Sequence, residues 1–218
     1  MSDAPRPRLL ALDLAASPVA WREAGFTVGE GDVVAIGATA IRLASPSRGE
    51  DEPAADGFTA WTLSGAVPDG DGTLEGVPTT IAPPPQDATT TPATPHANGV
   101  TAIDHVVLAT PDTTRTFEAL EASGFALRRV RDAGPDLRQG FFLFEECVLE
   151  VVGPPEPRPG GGAAAIWGVT LVAPDLTSPA FGPHLSAPRP AVQPGREIAV
   201  FDRAAGLGAR VALMTPRG

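Results

Sequence analysis

The chain has 218 residues, 43% hydrophobic and 19% charged, with a net charge of −10, so it can bury one large core or two small ones. That acidity argues against nucleic acid or an anionic membrane surface as partner, since both need basic patches. All sixteen basic residues are arginine, which excludes a Schiff-base lysine and a phosphate-loop lysine.

In chain order, "LLALDLA" reads as a strand, "PVAWREAGF" as a short helix and "VVAIGATAIRLASP" as a strand pair. The N-terminal apolar run is broken by Asp13 and is too short for the apolar region of a signal peptide. A Pro/Gly/acid-rich break follows at Ser45–Gly57, then two short apolar runs, "GFTAWTLSG" and "VPTTIAPP". The segment Ala82–Gly99, rich in Pro and Thr, predicts a partly extended connector. Beyond it "AIDHVVLA" is β-branched and strand-like. Asp112 is placed to cap a helix over "TTRTFEALEAS", where Phe117 and Leu120 share a face and Gly124 marks the stop. After "GFALRRV" come "FFLF" and "CVLEVV", two further strands. The glycines of "GPPEPRPGGGAAA" lack the spacing and lysine of a phosphate loop and read as a connector. The chain ends on "AIWGVTLVAPD" and "GARVALMTP". Cys147, the single cysteine, sits in an apolar run that suits a core residue and excludes an intrachain disulfide. No run approaches the ~18 apolar residues of a membrane span, and the cytoplasm is the expected compartment.

The segments repeat one grammar. "AIWGVTLVAPD" matches "AIDHVVLATPD" across the Pro-Asp pairs 111/112 and 174/175, and Gly25-Phe26 corresponds to Gly124-Phe125. "AIGATAIRLASP" aligns without gaps to "LFEECVLEVVGP", setting Arg42 opposite Glu150, and matching Pro216 with Pro154 sets Ala212 there too.

On "IDHVVLATPD", the helix ending "EASGF" and the strand "VLEVVGP", the sequence resembles the vicinal oxygen chelate superfamily (glyoxalase, bleomycin resistance and extradiol dioxygenase). The resemblance implies an α+β fold of repeated βαβββ modules that pair into half-barrels. It divides the chain into a degenerate glyoxalase-like domain at 1–82, with two short modules, a linker at 83–100, and a glyoxalase-like domain at 101–218 with modules at 101–154 and 165–216. It implies one divalent metal ion at the bottom of a small-molecule cavity, with His105 and Glu150 as ligands and as catalytic residues. Only two of the family's ligand positions are filled, because Gly168 and Ala212 occupy the others; a protein without metal is the alternative. Module one offers Asp13 in its first strand. Trp167 and Arg42 are candidate substrate-binding residues, Arg42 for an anion; Trp61 is a further stacking candidate, against a core role. His96 and His184, in Pro-flanked contexts, are expected at the surface, and "RRVRD" at a solvated strand edge. The implied function is metal-assisted lyase, isomerase or dioxygenase chemistry on a small molecule. The alternative is a non-catalytic protein that sequesters one. The expected assembly is a monomer or a homodimer.

Overall fold

The computed structural model of the chain describes residues 6–45, 56–83, 95–158 and 160–218. Most of the break at Ser45–Gly57, and residues 84–94 of the connector, lie outside the described residues. The first half forms β1 (Arg8–Ala15), α1 (Pro18–Glu23), β2 (Val33–Ile36), β3 (Thr39–Ala44), β4 (Gly57–Ser64), β5 (Thr73–Leu74) and β6 (Val77–Ile81). The second forms β7 (Ala102–Ala109), α2 (Thr113–Ala122), β8 (Leu127–Asp132), β9 (Arg138–Leu143) and β10 (Val148–Gly153). It continues with β11 (Ala165–Val172), β12 (Arg189–Pro190), β13 (Glu197–Val200) and β14 (Arg210–Met214).

Two mixed sheets result, ordered β2-β3-β1-β4-β6-β5 and β12-β13-β14-β11-β7-β10-β9-β8. In each, the first strands of two successive modules pair antiparallel at the centre, β1 with β4 and β7 with β11. Each module's last strand then runs parallel to its own first strand. Modules therefore pair within each half.

The helices follow from local chemistry. The Asp112 carboxylate accepts the Arg115 N–H at 3.0 Å, a cap that stabilises α2 by about 1 kcal/mol. Gly124, at φ 94°, ends α2 in a conformation that favours glycine. Pro18 opens α1, where its missing N–H has no helical partner to lose. No α-helix follows β4 or β11 among the described residues, and the two helices make up for this crosswise. Trp21 of α1 donates its indole N–H to the Leu207 carbonyl at 3.3 Å. Thr116 and Arg115 of α2 donate to Glu75 at 2.5 and 3.1 Å.

One buried cluster joins both halves. Trp61, fully buried, meets Phe144 edge-on at 6.3 Å, which gives it the core role. His96 is 7% exposed, which corrects the expected surface position. The last residues of the connector dock: His96 Nδ1 accepts from Thr27 N–H at 3.0 Å, and its Nε2 lies 3.0 Å from the Ala35 carbonyl. Asn98 donates to the Ala24 carbonyl at 2.7 Å. The flanking proline could not report that burial. His184 is half-exposed and lies 3.3 Å from Asp202. Arg128 and Arg129 of β8 are exposed, and Arg131 partly so, on the outermost strand of the larger sheet.

Candidate functional site

The site forms where β7 departs from regular alternation. Ile103 pairs with Leu171 and His105 with Thr170, so Asp104 is an extra residue with no partner across the ladder. Such a bulge turns two successive side chains to one side. The Asp104 and His105 side chains accordingly meet, with Oδ2 and Nδ1 2.8 Å apart. A second slip, at Trp167 of β11 between Ile166 and Gly168, restores the register three pairs later. It turns Trp167 toward the same cavity as Gly168. Ile103, which strict alternation would set beside His105, belongs to the buried core instead.

A line of polar side chains runs through this bulge, from Arg196 just before β13 across β7, β10 and β9. Arg196, 5% exposed at the start of the β13 hairpin arm, sets Nη2 2.7 Å from Asp104 Oδ1 and donates through Nε to the Thr215 carbonyl at 2.7 Å. Asp104 holds His105; His105 Nε2 lies 3.6 Å from Glu150 Oε2. Gln139 of β9 donates to Glu150 Oε1 at 2.6 Å, which leaves its buried Oε1 without a donor. Burial pushes the Asp104 carboxyl up, but the hydrogen bond from His105 and then that from Arg196, with both charges, outweigh it and hold the group at about 2. Asp104 is thus ionised at neutral pH, so Nδ1 carries the ring proton and donates it. Nε2 faces Glu150 across a gap too long for a direct hydrogen bond.

His105 and Glu150 line a half-open cavity of about 560 Å³. Its walls are mainly apolar, from Val107, Val152, Ile198, Val200 and Val211, with Arg189 and Arg210 also on the lining. Trp167 lines it too, about half exposed, with the Arg210 guanidinium 5.4 Å above its ring. The structure therefore brings His105, Glu150 and Trp167 together. Arg42 lies elsewhere, on the smaller sheet, where it pairs with Asp13 at 2.7 Å and donates to Thr62 at 2.5 Å.

Strand register places the other module positions. Glu150 faces Val107, Arg42 faces Asp13 and Ala212 faces Thr170, each the sixth residue of its module's first strand. Arg42 and Ala212 therefore do stand where Glu150 stands. Asp13 corresponds to Val107, and the position equivalent to His105 in module one is Ala11, which corrects the placing of Asp13 as that strand's candidate.

The metal implied by the fold family does not fit these residues. Two protein donors are present, where a zinc site needs at least three and a hard cation about six. No group of three or more His, Cys, Asp or Glu is placed to hold a metal among the described residues. Gly168 cannot be read as a vacancy awaiting a ligand, because a Cβ there would lie 2.6 Å from the Arg210 carbonyl oxygen and 2.8 Å from its Cβ. Gln139 presents its amide nitrogen, not its oxygen, to Glu150. Sequence gave no signal for Arg196, Gln139, Arg189 or Arg210, whose neighbours in the chain are unremarkable loop and strand residues. Asp104 was visible beside His105, but alternation assigns the pair to opposite faces.

The architecture is the vicinal oxygen chelate fold. A variant of 4-hydroxymandelate synthase from Streptomyces coelicolor superposes over 98% of this chain and 94% of that chain, with a TM-score of 0.60 and 12% identity. Methylmalonyl-CoA epimerase from Mycobacterium tuberculosis is similar over 56% of this chain and 91% of its own, with a TM-score of 0.43 and 17% identity. A variant of the Streptomyces coelicolor epimerase, in complex with 2-nitronate-propionyl-CoA, is similar over 55% of this chain and 99% of its own, with a TM-score of 0.42 and 19% identity. At these identities the likeness is one of fold. No family model and no curated protein matches the chain.

Proposed function

We propose that the protein is a glyoxalase-like small-molecule enzyme of lyase or isomerase type, with its site in the C-terminal cavity and proton transfer as its chemistry. One observation carries this reading: Asp104 fixes the His105 ring, which leaves Nε2 aimed at Glu150, 3.6 Å away, on the cavity lining. His105 Nε2 takes a proton from carbon next to a substrate carbonyl, and the resulting enolate takes a proton back on the carbon or along its conjugated system. Glu150 is the second proton carrier, and Gln139 holds its far oxygen. General acid–base groups of this kind contribute about 10²–10⁴-fold. In this reading residues 1–82 form a degenerate domain that supports the catalytic domain, 101–218, through the shared core and the linker, 83–100.

The test is solvent exchange. A panel of neutral and anionic carbonyl compounds is incubated with the protein in D₂O, and deuterium entry at the α-carbon is followed by NMR. His105→Asn and Glu150→Gln should each lower exchange by about 10² or more without a change in melting temperature. Exchange that persists in both variants overturns the proposal. The substitution of two ligand positions by Gly168 and Ala212 favours a second reading, sequestration without turnover. Under it a compound raises the melting temperature while no exchange is seen. Because the donor set is incomplete, chelator treatment is expected to leave the melting temperature unchanged; metal content near one per chain, lost in Glu150→Gln, would overturn that expectation.

A further inference from the structure

Resting on that reading of the cavity, we infer that its ligand is an organic anion with a flat apolar body, whose charged group is held by Arg189 and Arg210. The chain carries a net charge of −10, yet two arginines line this cavity and neither forms an ion pair among the described residues. Arg8, Arg22, Arg42, Arg115, Arg138 and Arg196 are each matched to a carboxylate; Arg128, Arg129, Arg131, Arg158, Arg203 and Arg217 show no ion pair among the described residues either, but none of them lines this cavity. A guanidinium presents a planar fork of donors that suits a carboxylate, sulfonate or phosphate.

The positions of the two arginines are built into the strands. Arg210 is the first residue of β14 and stands opposite Gly168 in the parallel ladder. Any side chain at Gly168 would press on the Arg210 backbone and Cβ, so the missing side chain is what lets Arg210 reach over Trp167 at 5.4 Å. Arg189 approaches from β12 at the sheet edge. Trp167 is turned inward by its bulge, and with one ring face beneath Arg210 the rest of its half-exposed surface is open to a ligand. The apolar walls, Val107, Val152, Val200 and Val211 among them, accept a body without polar groups. Trp167, Arg210 and Ala109 also line a second cavity of about 450 Å³, so the anionic end sits at the junction and a longer ligand can continue past it.

Two fluorescent probes that differ mainly in charge test this. 8-Anilinonaphthalene-1-sulfonate carries a flat apolar body and one anion; N-phenyl-1-naphthylamine lacks the anion. The sulfonate is expected to saturate at one per chain and to bind about tenfold or more weakly to the Arg189→Gln/Arg210→Gln variant, the loss of a charge-assisted hydrogen-bond pair. Arg189→Lys/Arg210→Lys, which keeps the charge but loses the planar fork, should bind the sulfonate more tightly than the glutamine variant and more weakly than the parent, and the uncharged probe should bind the parent and both variants alike. If both probes bind and neither responds to the glutamine variant, the anion inference falls while the cavity reading stands. If neither probe binds the folded parent, the cavity reading falls and the inference with it. His105→Asn should leave sulfonate binding intact; its loss there would place the anion at the histidine and overturn the assignment to the arginines.

Discussion

Asp104 is a buried carboxylate, 9% exposed, that exists as an anion because Arg196 and His105 both serve it. Replacing it by asparagine leaves the Arg196 guanidinium buried with no counter-charge, a loss of about 3–5 kcal/mol to be read by urea unfolding at pH 7. The pair's acid limb has a definite sign. The folded group is held at about 2 against 3.8 for the free side chain, so the unfolded chain binds more protons between those values. The stabilisation is complete above the unfolded value and is lost as pH falls through 3.8 toward 2. Unfolding midpoints followed from pH 6 to 2.5 should fall more steeply in the parent than in Asp104→Asn; parallel curves would count against the pairing. Cys147 is the opposite case: burial first, then the charges of Glu146 and Asp104, push its thiol up to about 12. Native protein should leave a thiol reagent unreacted at pH 7, with one equivalent consumed on unfolding.

Alternation of apolar and polar residues located most strands, because a side-chain period of two survives in sequence. It also paired Arg42 and Ala212 with Glu150 correctly, since "IRLASP" and "VALMTP" carry no insertion relative to "LEVVGP". Alternation fails at a bulge: nothing in "AIDHVV" announces that Asp104 is the extra residue, so a strict period of two would set Ile103 beside His105, whereas it packs into the core. Tertiary proximity was equally silent, so Arg196 and Gln139 came only with the structure. At the helix, α2 presses on Gly140 of β9, where a Cβ would lie 2.4 Å from the Phe117 ring. Gly140→Ala should cost about 1–3 kcal/mol by overpacking, read as a lower urea midpoint with an unchanged slope. At the connector's end, burial lowers the His96 ring below its usual 6.5, despite the Ala35 carbonyl pulling the other way. Its neutral form is the one that fits, so stability is full above 6.5 and declines as pH falls below it. Midpoints measured from pH 8 to 5 should decline in the parent and stay flatter in His96→Gln, a window clear of that of Asp104.

Across the molecule, each half supplies a helix that covers a helix-less module of the other, and one buried cluster runs through both. Neither sheet keeps its core without its partner, so heat should unfold the chain in a single step with calorimetric and van't Hoff enthalpies equal; two resolved peaks would mean that the halves are independent. The halves also share the slipped register. β1 and β4 lose step at Leu10 and regain it at Thr59, the same places in their strands as Asp104 and Trp167 in β7 and β11. Each pair of slips works like a frameshift and its suppressor. Removal of Asp104 alone, or of Trp167 alone, throws the ladder out of phase, whereas removal of both restores an unbroken one. The smaller sheet, with Leu10 and Thr59 at those points, shows that the device needs no chemistry to persist; the larger sheet has written Asp104 and Trp167, both of the proposed site, into the two letters that the frame leaves unread.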